Sequence, residues 1–139
     1  MNWTTLEQGK KLVELGLDPN TADMFYCYGM NVVTKEWGYD KEPSVNGEEL
    51  HIDIGDVPCW SGIALINLMP RYITRKSILQ SSKEEEYPLL IHSRLDGRYD
   101  VEYNANVIAE IGFCYPSLMD SLYNMVVWLL ENGYIKKVE

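Results

Sequence analysis

Tyr87-Pro88-Leu89-Leu90-Ile91-His92-Ser93-Arg94-Leu95-Asp96-Gly97-Arg98-Tyr99-Asp100-Val101-Glu102-Tyr103 is the stretch on which the fold turns. Two strand-like runs flank Asp96-Gly97, the strongest short-range signal for an antiparallel hairpin. A two-residue loop would pair Leu95 with Arg98 and scatter apolar and charged residues over both faces. A three-residue loop, with Gly97 left-handed, pairs Arg94 with Arg98 instead. Leu89, Ile91 and Ser93 then share a face with Tyr99, Val101 and Tyr103, and His92 and Arg94 lie with Asp100 and Glu102 on the other. A one-residue slip inverts every side chain, so burial of the apolar set selects the second register. It places His92 outward, beside Asp100.

Val107, Ala109, Ile111 and Phe113 extend this hairpin into a meander. A helix follows, capped at Ser117 and closed at Gly133, whose stripe Leu118, Leu122, Met125, Val126, Leu129 and Leu130 belongs in the main core. Upstream, Thr4-Thr5-Leu6-Glu7 has capping-box spacing and starts a first helix at Thr4. Gly16 ends that helix, with Leu17 reaching back to Leu12, and Asp18-Pro19 opens one more short turn. From Met24 the pattern becomes strand-like, with Met24, Tyr26, Tyr28, Met30 and Val32 on one parity. Gly38 to Gly47 reads as a polar loop, and Leu50, Ile52 and Ile54 alternate with His51 and Asp53 as a strand that would complete a hairpin. Pro58-Cys59-Trp60-Ser61 opens a second helix that stops at Pro70. Arg71 to Gln80 fits no single element, and Ser81 to Glu86 reads as a charged loop. Hairpins separated by helices, without strand–helix–strand alternation, predict an α+β fold. The expected form is one domain over residues 1–139: an antiparallel sheet of about five strands, hairpin plus meander, with helices on one face.

The 139 residues are 46% hydrophobic and 24% charged, an ordinary globular mixture. Twelve basic against 21 acidic residues leave a net charge of −9, which argues against binding a phosphate backbone. Cys27, Cys59 and Cys114 form no CxxC, and neither His51 nor His92 stands at metal-ligand spacing, so no metal or other cofactor is expected. The longest apolar run, Met125 to Leu130, is far shorter than a membrane span. The first residues lack the basic and apolar regions of a signal peptide, so the expectation is a reduced, cytoplasmic domain. No GxGxxG, GxxxxGK[ST] or GxSxG occurs, leaving nucleotide and serine-hydrolase readings without their motifs.

Three stretches carry a resemblance: Leu12 to Met24, Pro58 to Pro70, and Met125 to Ile135. Together they resemble a group of small uncharacterised proteins encoded by gut Bacteroidetes and by their phages and mobile elements. The resemblance implies a bacterial cytoplasmic setting and an accessory role, and brings no activity, ligand or site residue with it.

The sharpest chemical candidate is Cys59, placed at a predicted helix start where the dipole and free N–H groups lower a thiol pKa. His92 or His51 on neighbouring strands would be its base and Asp53 the orienting carboxylate, and the order Cys59 then His92 is one that cysteine hydrolases permit. Against this, Pro-Cys-Trp-Ser-Gly is not the Cys-Gly-Ser-Cys-Trp signature, and a small buried thiol packing behind Trp60 is the favoured reading of Cys59. Glu48-Glu49 and Glu84-Glu85-Glu86 read as solvated faces rather than acid–base pairs. The aromatic residues are a second candidate. Trp3, Trp37, Tyr39, Trp60, Trp128 and Tyr134 cannot all be central in so small a core, and Trp128, Trp37 and Tyr39 are the candidate contact residues. The favoured expectation is a non-enzymatic accessory protein acting through protein contacts, with a basic partner or as a homodimer. The alternative is the Cys59 hydrolase.

Overall fold

The computed structural model describes residues 2–47, 50–76, 84–105 and 108–138. Glu48, Glu49, Val107 and the 77–83 part of the two stretches around Gln80 lie outside them. The fold is α+β, built among the described residues from antiparallel strands and three α-helices.

The meander is a four-stranded sheet in chain order, of β6 (Tyr72–Lys76), β7 (Glu84–Ser93), β8 (Tyr99–Ala105) and β9 (Ile108–Tyr115). Leu89 pairs with Tyr103 and His92 with Asp100, the register expected from burial. Arg94 N–H donates to the Arg98 carbonyl at 2.8 Å, and Gly97, at φ +87°, closes the three-residue loop. Glu84–Glu86, expected in a loop, are instead the first residues of β7, with Glu85 opposite Arg75 and Glu86 opposite Thr74. The ladder sets basic residues opposite two of the three acidic positions, Arg75 at Glu85 and Lys76 at Glu84, a pairing that the run's own composition could not reveal.

Helix α3 (Leu118–Glu131) packs on one face of this sheet. Its Leu122, Met125, Val126, Leu129 and Leu130 meet Val101 and Tyr103, all fully buried. The Ser121 hydroxyl donates to the Tyr99 carbonyl at 2.8 Å and accepts from the Tyr115 N–H at 3.0 Å, pinning α3 to β8 and β9.

Helix α1 (Leu6–Glu14) starts one residue later than expected: Thr5, not Thr4, is the cap, and its box partner is Gln8. Thr4 is drawn elsewhere. It is wholly buried, its N–H donating to the Trp60 carbonyl at 2.9 Å and its hydroxyl accepting from the Trp60 N–H at 3.0 Å. The other end follows the expectation: Leu17 N–H reaches the Leu12 carbonyl and Gly16 N–H the Val13 carbonyl, both at 3.0 Å.

The middle of the chain departs most from expectation. Met24 to Val32 is not one strand, because Cys27 separates β1 (Met24–Tyr26) from β2 (Tyr28–Met30). Among the described residues, strand β2 pairs only with β3 (Trp37–Tyr39), forming a two-stranded ribbon. Strand β1 lies between β4 (Ser44–Val45) and β5 (Val57–Cys59). The supposed polar loop from Gly38 to Gly47 thus contains the end of β3 and all of β4. Ile52–Ile54 is a 3₁₀ turn closed by Gly55 at φ +105°, not a strand, and Ile52 and Ile54 are exposed. The buried Asp56 carboxylate accounts for this. It accepts from the backbone N–H of Tyr28 at 2.9 Å and of His51 at 3.1 Å, supplying partners that a ladder would otherwise provide. Helix α2 (Gly62–Leu68) is capped by Ser61, so Cys59 ends a strand instead of opening a helix.

Candidate functional site: an exposed hairpin

The β2–β3 ribbon is rooted on the body of the protein, where Tyr39 packs against the buried cluster of Tyr26, Val57 and Cys59. Asp56 holds the Tyr28 N–H, the Tyr28 ring lies against Gly55, and the Lys10 ammonium sits 4.9 Å above the Tyr39 ring. Tyr28 opposes Tyr39, and Met30 opposes Trp37, so these four side chains share one face. The Tyr28 ring stacks on Trp37 at 5.6 Å and meets Tyr39 at 4.9 Å, an aromatic ladder along the ribbon. The opposite face carries Gly29 beside Gly38, with nothing within 4 Å of where a Cβ would stand at either. An open groove of about 540 Å³ runs along the ribbon, lined by Cys27, Asn31, Glu36 and Asp40 as well as these glycines.

The loop at the tip is locally ordered by Asn31. Its side-chain carbonyl accepts from the N–H of Val33 and Thr34, and its backbone carbonyl from Lys35, which adopts φ +57°. This conformation leaves Val32 and Val33 87% and 86% exposed, next to Met30 at 49% and Trp37 at 61%. Four large apolar side chains therefore meet solvent on one projecting element.

Of the expected contact residues, Trp37 and Tyr39 belong to this ribbon. Trp128 does not. It is half-buried, stacked on Tyr134 at 5.4 Å with the Arg75 guanidinium 5.7 Å from its ring. It keeps part of its surface exposed, on α3 and apart from the ribbon. Met30, Val32 and Val33 were not singled out from sequence because an assumed strand parity absorbed Met30 and Val32. The signal was the adjacent pair Val32-Val33: neighbours on a strand point to opposite faces, so a half-buried strand cannot bury both.

The hydrolase residues are scattered. Cys59 is fully buried, and its Sγ accepts from the Thr4 hydroxyl at 3.5 Å and donates to the Thr4 carbonyl at 3.3 Å. Burial pushes the Cys59 thiol up, the reverse of an activated nucleophile. His92 lies on the outer sheet face, 3.5 Å from Asp100 and 3.3 Å from Glu102. His51 and Asp53 are exposed around the 3₁₀ turn, and His51 is held through its backbone by Asp56. No hydrogen bond joins Cys59 to either histidine among the described residues. Nor do the described residues include three His, Cys, Asp or Glu side chains grouped to hold a metal ion.

Burial also raises the neighbouring Tyr26 phenol to about 12, its hydroxyl donating to the Thr4 carbonyl at 2.8 Å. A proton held more tightly in the fold than in the unfolded chain gives stability that is complete below the unfolded value of 10.0 and drains as pH rises toward about 12. The thermal midpoint should fall across that window, less steeply in Tyr26→Phe. Cys59 should resist alkylation until the fold opens. Rapid alkylation of native Cys59 near neutral pH would contradict its burial.

No protein-family model, curated protein or solved structure matches the chain. Among the described residues, no helix is long and apolar enough to cross a membrane.

Proposed function

We propose that this protein is a non-enzymatic accessory module that binds another protein through the β2–β3 ribbon, in the bacterial cytoplasmic setting its resemblance implies. The observation that carries this reading is the exposed group Met30, Val32, Val33 and Trp37 on one projecting element. Scattered apolar surface residues need no explanation, whereas a contiguous set on a protruding ribbon is characteristic of a contact surface. Tryptophan is prominent among the residues that dominate binding energy at such surfaces.

Capture from host lysate by the full chain should be compared with the Val33→Ser, Trp37→Ser variant. The variant keeps the core, so its circular dichroism should be unchanged while affinity for the captured protein falls by about 30-fold, the loss of a single strong anchor. Undiminished capture by the variant overturns the assignment.

A further inference from the structure

We infer that the outer edge of β3 receives an extended basic segment of the partner by strand addition, an inference that rests on the reading of the ribbon as a contact surface. The hydrogen-bond alternation identifies the edge. Asn31 N–H donates to the Glu36 carbonyl and Asp40 N–H to the Cys27 carbonyl, so bonded pairs recur at 31:36, 29:38 and 27:40. Tyr28:Tyr39 and Met30:Trp37 are the intervening pairs, whose backbone groups point away from the ribbon. On β2 the outward Tyr28 N–H is already taken by Asp56. On β3, Trp37 and Tyr39 present outward N–H and C=O groups, and no described residue outside the ribbon bonds them. A two-stranded ribbon is marginally stable alone, so a third strand gives it what it lacks.

Charge selects the occupant. Glu36 and Asp40 flank Gly38 on the bare face, at the two ends of the edge. A second copy aligned to use both outward pairs sets Trp37 against Tyr39 and therefore Glu36 against Asp40, placing like charges opposite one another. A net charge of −9 on each chain adds to that repulsion. A strand with arginine or lysine opposite Glu36 and Asp40, and apolar residues opposite Trp37 and Tyr39, is complementary on both faces. The Gly38 floor leaves room for the long basic side chains to lie across it.

The probe is a blocked peptide alternating arginine with valine, added to the full chain and followed by amide hydrogen exchange. It should slow exchange at Trp37 and Tyr39 by at least about tenfold. The same peptide N-methylated on its bonding positions keeps its charge and should fail to protect them. Glu36→Lys with Asp40→Lys should weaken the basic peptide at least tenfold and admit a glutamate–valine peptide in its place. Equal binding of the N-methylated peptide overturns strand addition, and indifference to the charge reversal overturns the basic occupant. Sedimentation of the chain alone as a dimer that Trp37→Ser disrupts would replace the basic segment by a second copy. In these three outcomes the ribbon can still be the contact surface, which only undiminished capture by Val33→Ser, Trp37→Ser removes.

Discussion

Gly9→Ala is expected to destabilise the protein by about 3 kcal/mol or more, opposite in sign to what helix propensity dictates. In the interior of an exposed helix the same change gains about 1 kcal/mol. Gly9 is not exposed. It sits on the face of α1 that meets β5, where an added Cβ would stand 2.3 Å from the Pro58 carbonyl oxygen and 3.2 Å from a Val57 methyl. The first of these atoms is backbone, so no rotamer relieves the clash and the helix must move. Overpacking of this kind typically costs up to about 3 kcal/mol, and more where the obstacle is rigid. Displacing α1 would also pull Thr4 from Trp60 and from the Cys59 thiol. Gly29→Ala is the control: its Cβ meets nothing within 4 Å, so it should shift stability by no more than about 0.5 kcal/mol. Denaturant midpoints separate the two. A Gly9→Ala protein as stable as the parent would mean that α1 is not seated on β5 at this distance.

The elements legible in the sequence are those whose signals are local. The Asp96-Gly97 loop, the stripe of α3 and the Gly16 ending of α1 each depend on residues within a few positions of one another. Burial then had one register to choose, and it placed His92 outward, as found. Where the deciding partner is remote, local signals mislead. Thr4 carries a valid cap signal, yet Trp60, 56 positions away, takes its hydroxyl. Leu50 to Ile54 alternates like a strand, yet the Asp56 carboxylate holds the His51 N–H and ties it to Tyr28. Glu84 to Glu86 look like a loop until the facing strand, with Arg75 opposite Glu85, is known.

The site followed the same division. Trp37 and Tyr39 are noticeable as aromatic residues in a polar stretch, and both stand on the exposed ribbon. That Val32 and Val33 join them depends on the Asn31 turn that breaks the strand parity. Cys59 could be proposed as a nucleophile only while its position at a helix start was assumed. Two residues of displacement, from helix start to strand end, put its sulfur against Thr4 and remove the dipole that would have activated it.

Trp60→Ala should cost about 3–5 kcal/mol, a large share of the roughly 5–15 kcal/mol that holds a domain together. The indole is fully buried in the main core cluster, which also holds Leu12, Leu65 and Leu122, so its removal leaves a large void in that core. The backbone of Trp60 is gripped by Thr4 on both its N–H and its carbonyl, which prevents the chain from collapsing into that space. Trp60→Phe divides the effect. It retains most of the apolar volume but loses the bond from Nε1 to the Thr21 hydroxyl at 2.9 Å. That hydroxyl still donates to the Asp18 carbonyl, so it is not orphaned, and the cost should stay near 1–1.5 kcal/mol. Thr21→Ala in the Trp60→Phe background should then add less than it does in the parent, because the bond it would break is already gone. If Trp60→Ala lowers stability by under about 1 kcal/mol, the helices do not depend on the indole, and the core is centred elsewhere on the α3 stripe.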